Sequence, residues 1–96
     1  RFAEETAAIE RWLAAMRQAL QGSPAFAGAL AELPRLLKGY GDTHLRGRAN
    51  YAAIWDGIVM PALSSGQLEV VAPKLRQAIA AALADPEGKT LRRALA

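Results

Sequence analysis

The sequence predicts an all-α protein, a compact bundle of about five helices with a Gly-Tyr-Gly corner near its middle. Three observations predict it. Alanine dominates the 96 residues and β-branched residues are sparse, a balance that favours helix. No stretch alternates apolar and polar residues with the period of two that a half-buried strand shows. Apolar residues instead recur at spacings of three and four between breaks at Gly22, Pro34, Gly39, Ser65 and Pro86.

The first helix is expected from about Glu4 to Gln21, with Ile9, Trp12, Leu13, Met16 and Leu20 on its inner face and Gly22 as its stop. Glu10, Arg11, Arg17 and Gln18 then face water. Ser23-Pro24 reads as an N-cap followed by proline at the first helical position. It opens a second helix that buries Phe26, Leu30 and Leu33. Pro34 interrupts that helix, because proline has no N–H to donate and disfavours helix at the residue before it. Pro34 to Lys38 is therefore expected as a separate short turn leading into the glycine corner.

The third helix, Thr43 to about Met60, places Leu45, Tyr51, Ile54, Trp55, Ile58 and Val59 on a wide apolar stripe and is expected at the centre of the bundle. Gly47 and Gly57 inside it each cost roughly 1 kcal/mol relative to alanine, which points to close helix approach at both. Met60-Pro61 should end or bend it, and Ser64-Ser65-Gly66 forms a loop. A fourth helix begins between Gln67 and Val71, accepts Pro73 only in its first turn, and runs to Ala84 with Leu68, Val71, Leu75, Ile79 and Leu83 inward. Asp85-Pro86-Glu87 supplies a cap, a first-position proline and an acid for a short basic helix from Pro86 to Leu95. Trp12 and Trp55, both on apolar stripes, are expected in the core.

Composition narrows the function classes. The chain has no cysteine, so this segment forms no disulfide framework, thiolate zinc site or iron–sulfur cluster. A single histidine excludes a multi-histidine metal site, no Ser/His/acid arrangement suggests a triad, and no catalytic residue is assigned. Net charge is +3, from twelve Lys/Arg against nine Asp/Glu, too mild a balance to argue for nucleic acid. No apolar run approaches the roughly 20 residues of a membrane span. The chain opens on Arg1 without a leader, and the expectation is a soluble, cytoplasmic piece of a longer protein.

The unusual chemistry is gathered from Arg35 to Arg48. Gly39 and Gly41 bracket Tyr40, and glycine serves where φ is positive or another group approaches the backbone closely. Asp42 and Thr43 follow as candidate caps, so a helix should begin at one of them. It then carries His44, Arg46 and Arg48 near the positive end of the helix dipole, a placement that asks for an anionic partner. Arg35, Lys38, Arg46 and Arg48 read as a basic rim for a carboxylate or phosphate, as a solvated charged face, or as internally paired with Asp42 and Asp56. His44 is a general base, an anion contact or, the preferred reading, a structural hydrogen-bonding residue. The glycine spacing does not fit a phosphate-cradling loop.

From Leu33 to Asn50, and most specifically in Lys38-Gly-Tyr-Gly-Asp-Thr43 with the following Arg46-Gly47, the sequence resembles the C-terminal helical domain of the β subunit of bacterial indolepyruvate oxidoreductase, of the 2-oxoacid:ferredoxin oxidoreductase family. The resemblance implies a larger polypeptide whose N-terminal part is a γ-type domain. It also implies a catalytic partner subunit carrying thiamine diphosphate and iron–sulfur clusters, and an assembled enzyme that oxidatively decarboxylates aryl pyruvates to acyl-CoA, using CoA and passing electrons to ferredoxin. No catalytic residue carries over, and the fragment alone is expected to be inactive and to hold no cofactor. Arg35, Lys38, Gly39, Tyr40, Gly41, Asp42, Thr43, His44 and Arg46 are then an interface or anionic-ligand surface. The alternative is a free-standing helical module that binds protein or nucleic acid, and an upstream γ-type domain in the same reading frame would decide for the first.

Overall fold

The computed structural model describes residues 2–38, 41–85 and 87–95. Its elements are α1 (Phe2–Gly22), α2 (Pro24–Glu32), a 3-10 turn (Leu33–Leu37), α3 (Asp42–Ile54), a π turn (Trp55–Val59), α4 (Met60–Ser65), α5 (Leu68–Ala84) and α6 (Lys89–Leu95). Ile54, Trp55, Val59 and Met60 all keep right-handed helical backbone, so α3, the π turn and α4 form one continuous rod. Among the described residues the chain is thus five helices and a 3-10 turn, with no strand.

Local chemistry explains most of the boundaries. Ser23 has the extended backbone of an N-cap and its Oγ accepts the Phe26 N–H at 3.1 Å, with Pro24 in the first turn. Such a cap contributes about 1 kcal/mol. The same hydroxyl, fully buried, donates to the Glu69 carboxylate on α5, so the cap also ties two helices together. Pro34 sits second in the 3-10 turn, which starts at Leu33, one residue earlier than expected.

Three prolines behave differently from expectation or fall outside the description. Pro61 does not end the third helix. The π turn precedes it, with the Met60 N–H reaching back to the Trp55 carbonyl, and this wider turn accommodates a ring that would otherwise press on the carbonyl four residues back. Pro73 is the sixth residue of α5, beyond the first turn. Helix packing on both sides of it outweighs the one lost hydrogen bond. Pro86 lies outside the described residues. The last helix begins at Lys89, later than expected, because the Asp85 carboxylate caps it from a distance, accepting the Thr90 N–H at 3.0 Å and the Thr90 hydroxyl at 3.1 Å.

Phe26, Leu30 and Leu33 are buried as the spacing requires, together with Ile54, Ile58, Val59, Leu68, Leu75 and Ile79. The central helix, however, is α5, which touches every other element. The rod lies beside it. Leu45 of α3 is 60% exposed and Leu83 of α5 is also exposed. The first helix is rotated from its expected setting: Ala15 and Ala19 are buried, Trp12 and Met16 pack at the core's edge, and Ile9, Leu13 and Leu20 face out. Small side chains let α1 approach its neighbours closely, and that geometry wins over burying the larger residues on its flank. Both tryptophans are half-buried at the rim of the core. Trp12 Nε1 donates to the Leu30 carbonyl at 3.0 Å. Trp55 stacks on Tyr51 with ring centroids 6.0 Å apart. Gly57 makes no close helix approach, since a Cβ there would meet only Leu95 Cδ2 at 3.9 Å.

Candidate functional site: the corner between the 3-10 turn and α3

Gly41 stands at the start of α3 with φ 59° and ψ −130°, a backbone conformation that side chains disfavour strongly. Its carbonyl accepts the Leu45 N–H at 3.1 Å. The positive φ agrees with the reading of a tight corner. The cap does not: Gly41 itself is the N-cap and no side chain caps the helix there. Asp42 and Thr43 are the first two residues of the helix, both exposed.

This start alters the electrostatic expectation. Asp42 puts a negative charge on the first turn, where the dipole favours it, while Arg46 and Arg48 fall in the second turn. The cations are not stationed at the positive end, and the dipole alone no longer asks for an anion.

Two contacts hold α3 against the 3-10 turn. Gly47 is buried against the 3-10 turn so closely that a Cβ would lie 1.9 Å from the Leu36 carbonyl oxygen. One turn earlier on the same face, His44 Nδ1 lies 3.1 Å from the Leu37 carbonyl oxygen. A carbonyl only accepts, so Nδ1 carries the proton. His44 therefore serves as a strut between the turn and α3, in line with its structural reading. The next turn of that face buries Asn50, whose Oδ1 lies against Gly88 ahead of α6.

The predicted site residues separate into groups. Lys38, Asp42, Thr43 and Arg46 are exposed around the corner, and Arg48 with them. Among the described residues none of these takes part in an ion pair, so of the readings left open the internal pairing with Asp42 and Asp56 does not form. Gly39 and Tyr40 lie outside the described residues. Arg35 turns away to a shallow groove of about 150 Å³ between α2 and α5, lined also by Ala29, Glu32, Arg76 and Ile79. There it pairs with Glu32 at 2.9 Å, with both side chains about half exposed (53% and 54%), an arrangement worth at most about 1 kcal/mol. Arg76 and Glu32 were not singled out in the sequence. Arg76 is separated from Arg35 by the whole of the third helix, and no local spacing signals their approach.

Among the described residues two titrating groups are perturbed, both away from the corner. Half-burial raises the Tyr51 phenol above its ordinary value, with the Arg11 guanidinium pulling the other way. The backbone N–H of Thr90 holds the Asp85 carboxyl below the ordinary carboxylate range. Neither bears on an acid–base site, and both follow from packing and capping.

Fold and corner together define a small helical domain that displays exposed polar residues at the junction of the 3-10 turn and α3. The model of a family of unknown function, DUF6537, matches residues 1–57, more than half of the chain, and the chain belongs to that family. The match takes in α1, α2, the corner and α3 and ends inside the π turn. No curated protein and no solved structure matches the chain.

Proposed function

We propose that this chain is the accessory helical domain of the β subunit of an indolepyruvate (aryl 2-oxoacid):ferredoxin oxidoreductase, and that its corner docks on the rest of the enzyme. The observation that carries the reading is the motif from Lys38 to Gly47. Its glycines at 41 and 47 answer to backbone geometry, whereas Lys38, Asp42, Thr43 and Arg46 are exposed and enter no ion pair among the described residues. Apart from Asp42, whose charge suits the helix start, these exposed polar residues make no contact among the described residues that the fold needs and are suited to recognition.

The chemistry would reside elsewhere in the complex. With no cysteine, this chain does not fit an iron–sulfur cluster held by thiolates, so the clusters, the thiamine diphosphate and the CoA site belong to the partner subunit in this reading. The corner's contribution is assembly, or the approach of an anionic ligand past Lys38 and Arg46.

The test is to tag the protein in its native host, purify it anaerobically and assay ferredoxin reduction with indolepyruvate and CoA. Co-purification of a thiamine-diphosphate subunit with that activity supports the proposal. Arg46→Ala should then weaken co-purification while leaving the melting of the domain within the scatter of about 0.5 kcal/mol typical of surface substitutions. Clean recovery of the tagged protein without the partner and without activity would overturn it.

A further inference from the structure

The outer flank of α1 is apolar and uncovered. Ile9 is 59% exposed, Leu13 41% and Leu20 62%, with half-buried Met16 between them. Their spacing is four, three and four residues, the alternation of a helix-on-helix seam with a repeat of 3.5. At about 100° per residue the four side chains occupy a wedge roughly 60° wide, centred about 100° from the line of Ala15 and Ala19 that faces the domain's own core. Met16 reaches the edge of the core, while Ile9, Leu13 and Leu20 stay uncovered. A contiguous exposed stripe of large apolar side chains marks an interaction surface.

The charges bordering the stripe identify its occupant. Glu10 and Arg17 lie seven residues apart along its outer edge, both exposed and neither in an ion pair among the described residues. If two copies of α1 pack antiparallel about a two-fold axis midway between residues 14 and 15, Ile9 meets Leu20 and Leu13 meets Met16 of the second copy. Glu10 of each copy then lies two residues, about 3 Å along the axis, from the level of Arg17 of the other, within reach of these long side chains, giving two opposite-charge pairs. Parallel packing aligns like with like and forms neither pair. A membrane surface fits less well, because an interfacial helix carries rows of Lys and Arg along its polar border, and this border holds one residue of each sign.

We propose that the Ile9–Leu13–Met16–Leu20 face of α1 is a homodimer interface, with two chains related by a two-fold axis and Glu10 set against Arg17 of the second copy. The interface is isologous, as in most closed dimers. It is also small, and the dissociation constant should fall in the micromolar range, the weak end for specific protein interfaces.

Sedimentation equilibrium of the 96-residue chain tests it. The unmodified chain should be in monomer–dimer equilibrium. Leu13→Glu and Glu10→Arg should each raise the dissociation constant at least about tenfold, and the doubly reversed Glu10→Arg/Arg17→Glu chain should recover most of that loss. Far-UV circular dichroism checks that each variant folds; should Leu13→Glu fail to, Leu20→Glu at its more exposed position replaces it. A chain that is monomeric up to about 1 mM, the weakest affinity that counts as specific here, overturns the proposal. So does a dimer indifferent to Leu13→Glu or Leu20→Glu, or one that the double reversal does not restore. Binding of a monomeric chain to phospholipid vesicles through this face would likewise overturn it, in favour of a membrane role.

Discussion

Replacing Gly47 with alanine tests the architecture of the corner most directly. The added Cβ would lie 1.9 Å from the Leu36 carbonyl oxygen and 3.1 Å from its carbon, and backbone cannot rotate aside as a long side chain can. Close C···O contacts in proteins sit at about 3.3–3.6 Å, so the 3-10 turn must back away by roughly 1.4–1.7 Å. That displacement breaks the hydrogen bond between His44 and Leu37, worth about 1 kcal/mol. It also lifts buried Leu33 and Leu36 from their packing, an overpacking strain of about 1–3 kcal/mol. Alanine's helix preference over glycine returns about 1 kcal/mol. The net loss is about 1–3 kcal/mol, or roughly 5–25 °C in melting temperature for a domain of this size. Gly28→Ala provides the control, since it lies inside α2 with nothing within 4 Å of the new Cβ, and should gain up to about 1 kcal/mol. Thermal melts followed by far-UV circular dichroism measure both. A Gly47→Ala domain that melts at or above the unmodified temperature, beside a Gly28→Ala domain that behaves as expected, would refute the close approach.

Gly41→Ala should cost about 1–3 kcal/mol through its positive φ alone, with nothing within 4 Å to clash; an unchanged denaturation midpoint would show that the corner has another conformation. Truncating buried Ile58 to alanine should cost about 2–5 kcal/mol, whereas Leu45→Ala at an exposed site should stay within about 0.5 kcal/mol, a contrast that urea titration resolves and that equal losses would contradict. The lowered pKa of Asp85 makes its cap dependent on pH. The folded-state value lies below the ordinary 3.8, so its stabilisation is present above that pH and is lost as pH falls through the folded value. Asp85→Ala should therefore lower the melting temperature at neutral pH, and the gap from the unmodified chain should close in strong acid. A gap independent of pH would show that the carboxylate's charge plays no part in the cap.

One part of the candidate site was legible in the sequence, where its cause is local: Gly41, expected at a turn, has a positive φ, while Gly39 and Tyr40 lie outside the described residues. What His44 and Arg35 do was not legible to the same depth. Their partners, Leu37 and Glu32, are near in sequence, yet which rotamers meet them depends on how the 3-10 turn folds back on α3. The groove that gathers Arg35 and Arg76 requires α2 and α5 to lie side by side, and no spacing along the chain encodes that.

The sequence by itself determined the helices, their main stops and the N-cap at Ser23, because propensity, proline's missing donor and hydroxyl capping act within one or two turns of the residue concerned. Only the tertiary structure decided which helix is central and how α1 is rotated against its neighbours. Periodicity marks an apolar face but not its rotation, so Ile9, Leu13 and Leu20 looked internal until the alanines at 15 and 19 were seen to set the approach of α1. Likewise Gly47 and Gly57 are the same residue in the same rod, and the difference between them is the Leu36 carbonyl that packs against one and not the other. Such contacts join residues far beyond the reach of a helical turn, and they exist only once the elements have docked.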